Sequence, residues 1–321
     1  MWKIGNIEIE SRVVLGPMAG VTSEAYRKFL KPFGVGVSFT EMVSDCGLFY
    51  GNENTFSYLP TKGSDRPVGI QLFGSKIENA LKAIDIIQKA DISYDFIDLN
   101  FGCPVPKVTK TGSGSSWLRK PQKLEDYVKQ IVAFSYKPVT AKIRLGWSTQ
   151  SVNFVEVVDI LERSGVSAIT IHARTTEQMY AGKADWHALV GLKEKMKVPL
   201  IISGDIFSVD DAISALEITK ADAVMVARGA MGKPCLIKQI DTYLRTGVRL
   251  PDATLLEQII YLREYSNLLI EEKGEKQAMM ILRGIAPRFF NGYPGIKQLK
   301  NALSTNLNTK ADLDDILSQI S

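Results

Sequence analysis

The sequence predicts an α/β protein, a closed parallel (β/α)8 TIM barrel followed by a C-terminal all-helical domain. Eight short apolar runs rich in β-branched residues recur between residues 13 and 228, and helical periods follow most of them. Buried parallel strands have this composition, and eight strand–helix units close a barrel. Only helical periods occur after residue 255. An open doubly wound sheet is the alternative, but no Gly-x-Gly-x-x-Gly motif follows the first strand.

Residues 1–12 alternate apolar and polar side chains around Gly5-Asn6, which predicts a small hairpin that caps the floor of the barrel. The apolar runs predict strands at residues 13–18, 37–42, 68–73, 96–100, 139–144, 168–172, 200–205 and 223–228. Apolar residues at helical spacing predict helices at residues 23–31, 77–90, 124–133, 152–163, 188–195 and 209–216.

The pattern changes after Tyr243, which predicts a barrel domain over residues 1–243 and a helical domain over residues 244–321. The segment 249–252, Arg-Leu-Pro-Asp, is typical of a linker and a helix start. From residue 255 onward the apolar residues recur at helical spacing, so we expect a small helical domain there.

Composition predicts an ordinary globular protein, because 45% of the 321 residues are hydrophobic and 23% are charged. No apolar run approaches the ~20 residues that span a bilayer, and the N-terminus lacks the apolar core of a signal peptide. The three scattered cysteines Cys46, Cys103 and Cys235 form neither a disulfide framework nor a metal-binding pattern. We therefore expect a cytoplasmic, reduced protein that binds no membrane and no metal, and we expect a monomer.

Polar residues stand at the C-terminal ends of the predicted strands, namely Gln71, Asn100, Lys142, His172, Asp205 and Arg228. Such positions converge on one mouth of a barrel. Each side chain alone has a structural explanation: the lysine could extend from a strand end, the histidine could be a bonded core imidazole, and the aspartate could cap a helix. Together they predict an active site, and Cys103 follows the fourth strand in the turn Asn-Phe-Gly-Cys-Pro.

Two small turns predict a site for a phosphate group. Residues 203–205, Ser-Gly-Asp, and residues 227–232, Ala-Arg-Gly-Ala-Met-Gly, follow the seventh and eighth strands and open helices. Loops at these places, with helix N-termini behind them, form the common phosphate site of barrels. Arg228 adds a side chain that can donate two hydrogen bonds to one phosphate.

Five motifs in this order resemble the tRNA-dihydrouridine synthases. They are Pro-Met-Ala-Gly-Val-Thr at 17–22, Asn-Phe-Gly-Cys-Pro at 100–104, Lys-Ile-Arg-Leu-Gly at 142–146, His-Ala-Arg-Thr at 172–175 and Arg-Gly-Ala-Met-Gly at 228–232. Glu-Gln-Met-Tyr at 177–180 and Ala-Asp-Trp at 184–186 favour the bacterial B-type subgroup. The resemblance extends over almost the whole chain, including the helical tail.

This resemblance implies an FMN enzyme that uses NADPH, or NADH, to reduce the C5–C6 double bond of a uridine in the D-loop of tRNA. It implies that Cys103 is the acid that protonates C5 and that reduced flavin delivers a hydride to C6. An unperturbed thiol has a pKa of ~8.5, so it is mostly protonated at neutral pH and can donate.

The resemblance also implies ligand contacts for the other site residues. Residues lining the flavin or reaching its ring would be Pro17, Met18, Ala19, Gln71, Lys142 and His172. Residues holding its phosphate and ribityl end would be Ser203, Gly204, Asp205, Ala227 and Arg228. Asn100 and Arg174 would face the uracil.

The chain departs from the usual family pattern in three places. Family members usually have Asn at the position of Ser203 and Gly at that of Ala227, and they continue Gly-Asn-Pro-Trp where residues 232–235 read Gly-Lys-Pro-Cys. These departures affect individual contacts and leave the expected cofactor unchanged. We expect Cys235 to pack against a helix and to have no part in the chemistry.

Two basic segments predict a surface for RNA. Residues 107–123 contain five Lys or Arg and no acid, and residues 273–300 contain six against one acid. Basic patches on both sides of one mouth are typical of a polyanion site, and tRNA is the expected partner. A flavin enzyme for free pyrimidines is one alternative, since it would not need the basic tail. A barrel that only binds RNA is another, although it would not need Cys103, Lys142 and His172.

Overall fold

The structure is a computed structural model, and it describes residues 1–319. The chain opens with the antiparallel hairpin of β1 (Trp2–Ile4) and β2 (Ile7–Ile9), as predicted. The barrel region then consists of β3 (Val13–Leu15), α1 (Glu24–Leu30), β4 (Ser38–Phe39), β5 (Val43–Ser44), α2 (Asp45–Phe49), α3 (Glu53–Phe56), β6 (Val68–Phe73), α4 (Ile77–Lys89), β7 (Phe96–Phe101), α5 (Pro106–Thr109), α6 (Pro121–Phe134), β8 (Val139–Arg144), α7 (Phe154–Arg163), β9 (Ile169–His172), β10 (Leu200–Ser203), α8 (Val209–Thr219), β11 (Ala223–Val226) and α9 (Pro234–Thr246).

The tail consists of α10 (Leu255–Lys273), α11 (Glu275–Ile285), α12 (Lys297–Thr305) and α13 (Lys310–Ser318). Short 3-10 turns connect some elements, at Lys31–Phe33, Gly114–Arg119, Thr149–Ser151, Trp186–Leu189, Lys193–Lys195, Arg228–Ala230 and Ala286–Phe290. Within residues 1–319, no helix combines the length and the apolar character that crossing a bilayer requires.

The strands form a parallel barrel, which confirms the predicted fold. They are hydrogen-bonded in the order β3-β11-β10-β9-β8-β7-β6-β4, and β5 pairs with the end of β6. A single parallel bridge between Val14 and Val37 brings β3 beside β4 and closes the circle. The closure is supported by the backbone bond from Leu15 N to Val37 O, 2.9 Å.

The second predicted strand, residues 37–42, is wrong in detail because it is interrupted between β4 and β5. The Thr40 hydroxyl accepts the backbone N–H of Gln71 at 3.1 Å and donates to the Glu41 carbonyl at 2.8 Å. A side chain therefore replaces the backbone ladder at this point. The Glu41 carboxylate accepts the N–H of Gly20 from the loop after β3.

The predicted helix at residues 188–195 is also wrong, since two 3-10 turns occupy this part of the chain. Gly191 lies between them with φ +75°, a left-handed conformation that ends helical propagation. The seventh predicted strand ends at Ser203 and not at Asp205, because Gly204 and Asp205 have φ values of +116° and +55°.

The interior of the barrel is apolar at its floor. Every second residue of a strand points inward, and the lowest inward side chains form one buried cluster with the hairpin. Its members are Trp2, Ile4, Ile9, Val14, Val37, Phe39, Phe96, Ala168, Ile201, Ala223 and Met225. The hairpin therefore caps the floor, and the polar inward residues begin above this cluster.

The helical tail docks on the barrel through α1. Tyr26 and Phe29 of α1 pack against Tyr265 of α10, with ring centroids 5.3 and 5.5 Å apart, and Phe29 also contacts Phe289 at 6.2 Å. The Glu272 carboxylate accepts the backbone N–H of Ala25 at the start of α1. Helix α9 continues to Thr246, three residues past the predicted domain boundary at residue 243. The division of the chain into a barrel domain and a helical domain stays a prediction.

A glycine lies where the backbones of the barrel and the tail approach each other closely. Gly232 has φ +74°, and a Cβ at this position would lie 2.4 Å from the backbone carbonyl carbon of Arg288. Gly247 has nearly the same φ, +73°, but no atom would lie within 4 Å of its Cβ. The two positions therefore have the same backbone conformation and differ in the room available for a Cβ atom.

We expect Gly247→Ala to lower the free energy of unfolding by about 1 kcal/mol, because only the left-handed conformation is penalised. Gly232→Ala should lower it by more than about 2 kcal/mol, because the tail backbone must also move. Urea denaturation gives both values, and hydrogen exchange should show faster opening of α10 and α11 in Gly232→Ala alone. Equal effects of the two substitutions would contradict this account of the interface.

Candidate active site

A cavity of about 100 Å³ lies at the C-terminal end of the barrel strands, and we name it the mouth cavity. It is lined by Gly16, Pro17, Met18, Lys142, His172, Tyr180, Ser203, Gly204, Asp205, Ile206, Met225, Ala227 and Arg228. Nine of the predicted site residues are in this lining, from strands distant in the chain. Among the predicted residues outside it, Ala19 is exposed in the first loop, whereas Gln71, Asn100, Cys103 and Arg174 are buried beside the cavity.

Lys142 and His172 both line the mouth cavity, and they have different charge states. Burial lowers the pKa of Lys142 to about 8, so this ammonium is mostly charged at neutral pH. Its Nζ has no hydrogen-bond partner within residues 1–319. Burial, together with the charges of Lys142 and Arg144, holds the pKa of His172 well below its usual range, so its imidazole is neutral.

Arg174 forms a buried ion pair with Asp205. Its two terminal nitrogens donate to the two carboxylate oxygens at 2.9 and 2.6 Å. The remaining N–H groups reach the carbonyls of Ala181 and Gly182, at 3.1 and 2.7 Å, and the ring of His172 at 3.4 Å. Arg174 thus fixes the wall of the cavity, and its predicted contact with uracil stays a prediction.

Asp205 is held in a strained backbone conformation by its partners. It has φ +55°, which costs roughly 1–2 kcal/mol for a residue with a side chain. Its carboxylate also accepts the N–H of Ala184 at 2.8 Å and a weaker bond from Arg228 at 3.3 Å. Burial raises the pKa of Asp205, but the bonds from Arg174 and Ala184 outweigh it and hold the pKa below its usual value.

The end of the cavity between β10 and β11 fits an anionic group. The backbone N–H groups of Gly204, Asp205, Arg228 and Gly229 have no hydrogen-bond partner within residues 1–319. Successive N–H groups in turned backbone form concave anion sites. The half-exposed guanidinium of Arg228 lies 4.8 Å from the ring of Tyr180 and 5.4 Å from that of Phe207. These donors, with the charged Lys142 in the same lining, fit an anionic group such as a phosphate.

Ala227, one of the departures from the family pattern, packs within the barrel wall. A Cβ on Gly16 would lie 3.2 Å from the Cβ of Ala227 and 3.0 Å from Met225. The extra methyl group of Ala227 therefore fills space beside Gly16 of the neighbouring strand. Cys235 lies on α9, and its Sγ is 3.5 Å from the Tyr261 hydroxyl of α10, a contact between the barrel and the tail.

Cys103 lies in a turn in which both its backbone N–H and its backbone carbonyl are hydrogen-bonded. Asn100 Oδ1 accepts the N–H of Gly102 at 3.1 Å and that of Cys103 at 2.8 Å. The Cys103 carbonyl accepts the N–H and the hydroxyl of Ser115, at 3.0 and 2.9 Å. Burial raises the pKa of the Cys103 thiol, although the Val105 N–H and the charge of Arg144 offset part of the rise. The thiol is therefore protonated at neutral pH.

Sequence reasoning gave Arg144 no role of its own, yet it joins the end of β8 to two loops of the mouth, those after β7 and β9. Its buried guanidinium donates to the carbonyls of Gly102, Thr175 and Met179, at 2.9, 2.8 and 2.8 Å. A sequence signal existed, because Arg144 stands two residues after Lys142 and so points to the same side of β8. Tyr180, to which the sequence analysis gave no role in the site, lines the cavity from a loop. No periodic pattern predicts its position.

Comparison with known proteins identifies the family. The model of the family described as "Dihydrouridine synthase (Dus)" matches residues 14–320. A probable tRNA-dihydrouridine synthase of Rickettsia bellii is 35% identical over 305 residues, which are 95% of this chain and 93% of that protein. The tRNA-dihydrouridine synthase B of Pseudomonas aeruginosa is 31% identical over 309 residues, which are 96% of this chain and 92% of that protein.

Solved structures share the fold at low sequence identity. Histamine dehydrogenase from Rhizobium sp. 4-9 aligns with a TM-score of 0.53 and 16% identity, over 83% of this chain and 50% of that chain. A 2-naphthoyl-CoA reductase in complex with 2-naphthoyl-CoA aligns with a TM-score of 0.56 and 12% identity, over 74% and 51%. This chain thus spans about half the length of either neighbour, and the likeness supports the barrel alone.

The predicted resemblance is confirmed, because the family match covers nearly all of the chain and the relatives exceed 30% identity over most of their length. Proteins of the B type are among these relatives. The ordered motifs, the barrel with its cationic mouth and these matches agree: the chain belongs to the dihydrouridine synthase family.

Proposed function

We propose that the protein is a tRNA-dihydrouridine synthase that binds FMN in the mouth cavity and uses NADPH or NADH to reduce the C5–C6 bond of a D-loop uridine. The observation that carries this proposal is the protonated thiol of Cys103, fixed beside a cationic cavity that fits a phosphate. The names of the relatives support tRNA as the substrate. A cytoplasmic location and a monomeric state belong to the same proposal.

The lining residues suggest how FMN would be held. Pro17 and Met18 would border the ring system, with Lys142 and His172 beside it, and Arg228 with the free N–H groups of the two turns would bind the phosphate. When bound and reduced, FMN supplies the hydride for C6 of the uracil. The charged Lys142 stabilises negative charge that develops near the ring.

Cys103 would supply the proton for C5 of the uracil. Its buried thiol keeps its proton at neutral pH, as a general acid must. After proton transfer the thiolate would lie beside the charges of Arg144 and Lys142, which lower its energy. The bonds from Asn100, Ser115 and Arg144 to residues 102–103 limit the thiol to a narrow range of positions.

The test of the proposed function compares tRNA with free uracil as substrates of the purified protein, with NADPH present. We expect dihydrouridine in unmodified tRNA and no reduction of uracil. Cys103→Ala should keep bound flavin and slow single-turnover reduction of tRNA by about 10²–10⁴-fold, because general acid catalysis is lost. Cys235→Ala is the matched control, since that thiol bonds to Tyr261 of the tail and does not line the mouth cavity, and it should retain activity.

Reduction of free uracil at a rate comparable with that of tRNA would favour the pyrimidine enzyme. Near-normal turnover of Cys103→Ala would exclude Cys103 as the acid. Tight RNA binding without any reduction would favour the barrel that only binds RNA.

Arg228 provides a test of the phosphate position. Arg228→Ala should raise the dissociation constant of FMN by about 10- to 100-fold, because a charge-assisted bond contributes roughly 1.5–3 kcal/mol. Arg249→Ala is the control: this exposed arginine pairs with Asp210 away from the mouth cavity, and its loss should leave FMN affinity unchanged. Titration of the apoprotein with FMN, followed by flavin fluorescence, gives both constants. Equal affinity of Arg228→Ala and the parent protein would place the phosphate elsewhere.

The basic segment near Cys103 lines a cleft of about 600 Å³, which we name the basic cleft. Its charged lining residues are Lys110, Arg119, Lys120 and Lys123, and no carboxylate is among the lining residues. The segment is tied to Cys103 through Ser115. We propose that RNA phosphates bind in this cleft, beside the base being reduced.

The tail offers fewer cations to RNA than its composition suggests. Arg283 donates to the Leu307 carbonyl at 2.8 Å and to Asn308 at 2.6 Å, so it joins α11 to the segment between α12 and α13. Lys300 is bonded to Asn291 at 2.6 Å. Lys276 and Lys297 are exposed and have no ion-pair partner within residues 1–319, so they extend the proposed RNA surface.

We expect Lys120→Ala combined with Lys123→Ala to weaken tRNA binding and to flatten its salt dependence. Removal of one lysine–phosphate bond should reduce the slope of log affinity against log salt by roughly 0.7–0.9. The control is Lys195→Ala with Lys197→Ala, which removes the same charge near the floor of the barrel. Filter binding at several salt concentrations measures both slopes. Identical slopes in the two double variants would exclude the basic cleft from the RNA surface.

A further inference from the structure

A buried row of hydrogen bonds crosses three barrel strands and ends on the backbone of Cys103. Gln71, Asp98 and Thr140 are direct neighbours on β6, β7 and β8. Asp98 Oδ2 accepts from Gln71 Nε2 at 2.6 Å, and Asp98 Oδ1 accepts from the Thr140 hydroxyl at 2.6 Å. Gln71 and Asp98 are fully buried, so water does not compete for these bonds.

The row continues from Gln71 to the turn that carries the thiol. Gln71 Oε1 accepts from Asn100 Nδ2 at 2.8 Å, and the same amide also donates to Met42 Sδ at 3.0 Å. Asn100 Oδ1 then accepts the N–H groups of Gly102 and Cys103. Four side chains are thus connected to two backbone N–H groups without a gap.

The direction of every bond in the row is determined by its two ends. Backbone N–H groups can only donate, and an ionised carboxylate can only accept. Burial raises the pKa of Asp98 to about 6, so the group is ionised at neutral pH. If either amide rotated by half a turn, two oxygens or two NH2 groups would face each other in the barrel interior.

We propose that Asp98 is a positioning residue for the reaction, because through Gln71 and Asn100 it fixes the turn that presents the Cys103 thiol. Asp98 is fully buried and does not line the mouth cavity, so it acts only through its neighbours. The catalytic part of this inference rests on the proposed function, in which Cys103 is the acid. The structural part, control of the Gly102 and Cys103 amides, stands without it.

Three substitutions separate the hydrogen bond from the charge and from packing. Asp98→Leu removes the acceptor for Gln71. Asp98→Asn removes the charge but retains an acceptor, because Asn Oδ1 can face Gln71 while its NH2 group donates to the Thr140 hydroxyl oxygen. Thr140→Val is the matched control, since it removes the other bond to Asp98 and leaves the row from Asp98 to Cys103 intact. Asp98→Ala serves in place of Asp98→Leu if the leucine prevents folding.

Two measurements are made on the flavin-loaded protein. Hydrogen exchange of the Gly102 and Cys103 amides should accelerate by about tenfold or more in Asp98→Leu, because local opening becomes easier, and should stay unchanged in Asp98→Asn and Thr140→Val. Single-turnover reduction of tRNA should slow by up to about 10²-fold in Asp98→Leu, because the acid is misplaced, while tRNA affinity and flavin content remain those of the parent.

Unchanged exchange at Gly102 and Cys103 in Asp98→Leu would overturn the inference. Equal losses in Asp98→Leu and Asp98→Asn would also overturn it, because they would assign the effect to the charge that Asp98 places near Lys142. Equal losses in Asp98→Leu and Thr140→Val would indicate general packing instead. If amide exchange is faster in Asp98→Leu but the parent protein itself reduces no tRNA, the positioning role is supported and the proposed function is contradicted.

Discussion

The register of the parallel strands is the constraint on which the site depends. In a closed barrel every second side chain faces the axis, and paired residues on neighbouring strands point to the same side of the sheet. The register aligns Gln71 with Asp98 and Asp98 with Thr140, and one step higher it aligns Asn100 with Lys142. A slip of one residue on β7 would turn Asp98 and Asn100 toward the helices. The apolar floor excludes that slip, because Phe96 on the same face fills the space that Gly69 leaves open.

Positively charged side chains at the mouth surround two groups that burial keeps neutral, the imidazole of His172 and the thiol of Cys103. Burial lowers the pKa of His172, and the charges of Lys142, Arg144, Arg174 and Arg228 lower it further. The single carboxylate that lines the cavity, Asp205, is bonded to Arg174. Burial raises the pKa of Cys103, yet Arg144 and Lys142 oppose that rise. In the proposed reaction, the same surroundings would keep the proton on the thiol before transfer and would stabilise the thiolate after it. A site with this excess of positive charge favours anionic ligands.

The sequence predicted the parts of the site that strand periodicity determines. Lys142, His172 and Ser203 come from strands whose apolar runs are evident, so their places at the mouth follow from the predicted barrel. The Arg174–Asp205 pair could not be predicted, because it depends on the left-handed conformation of Asp205 and on loop carbonyls of residues 181 and 182. The interruption of strand two depends on the Thr40 hydroxyl, a contact between distant segments that has no local signal. The predicted helix 188–195 contains Gly191, whose left-handed conformation ends the helical turn, and the prediction did not take this glycine into account.

The turn of residues 228–232 connects the mouth of the barrel to the tail. Arg228 at its start lines the mouth cavity, while Gly232 at its end lies against the backbone of Arg288. The Tyr26 hydroxyl of α1 donates to the carbonyl of Ala230 at 3.0 Å, and Tyr26 is also part of the aromatic contact with α10. The tail therefore packs on α1 and on the same turn that lines the end of the cavity between β10 and β11. Because a buried apolar interface of this kind resists relative motion, the proposed RNA surface of the tail keeps a fixed relation to the mouth.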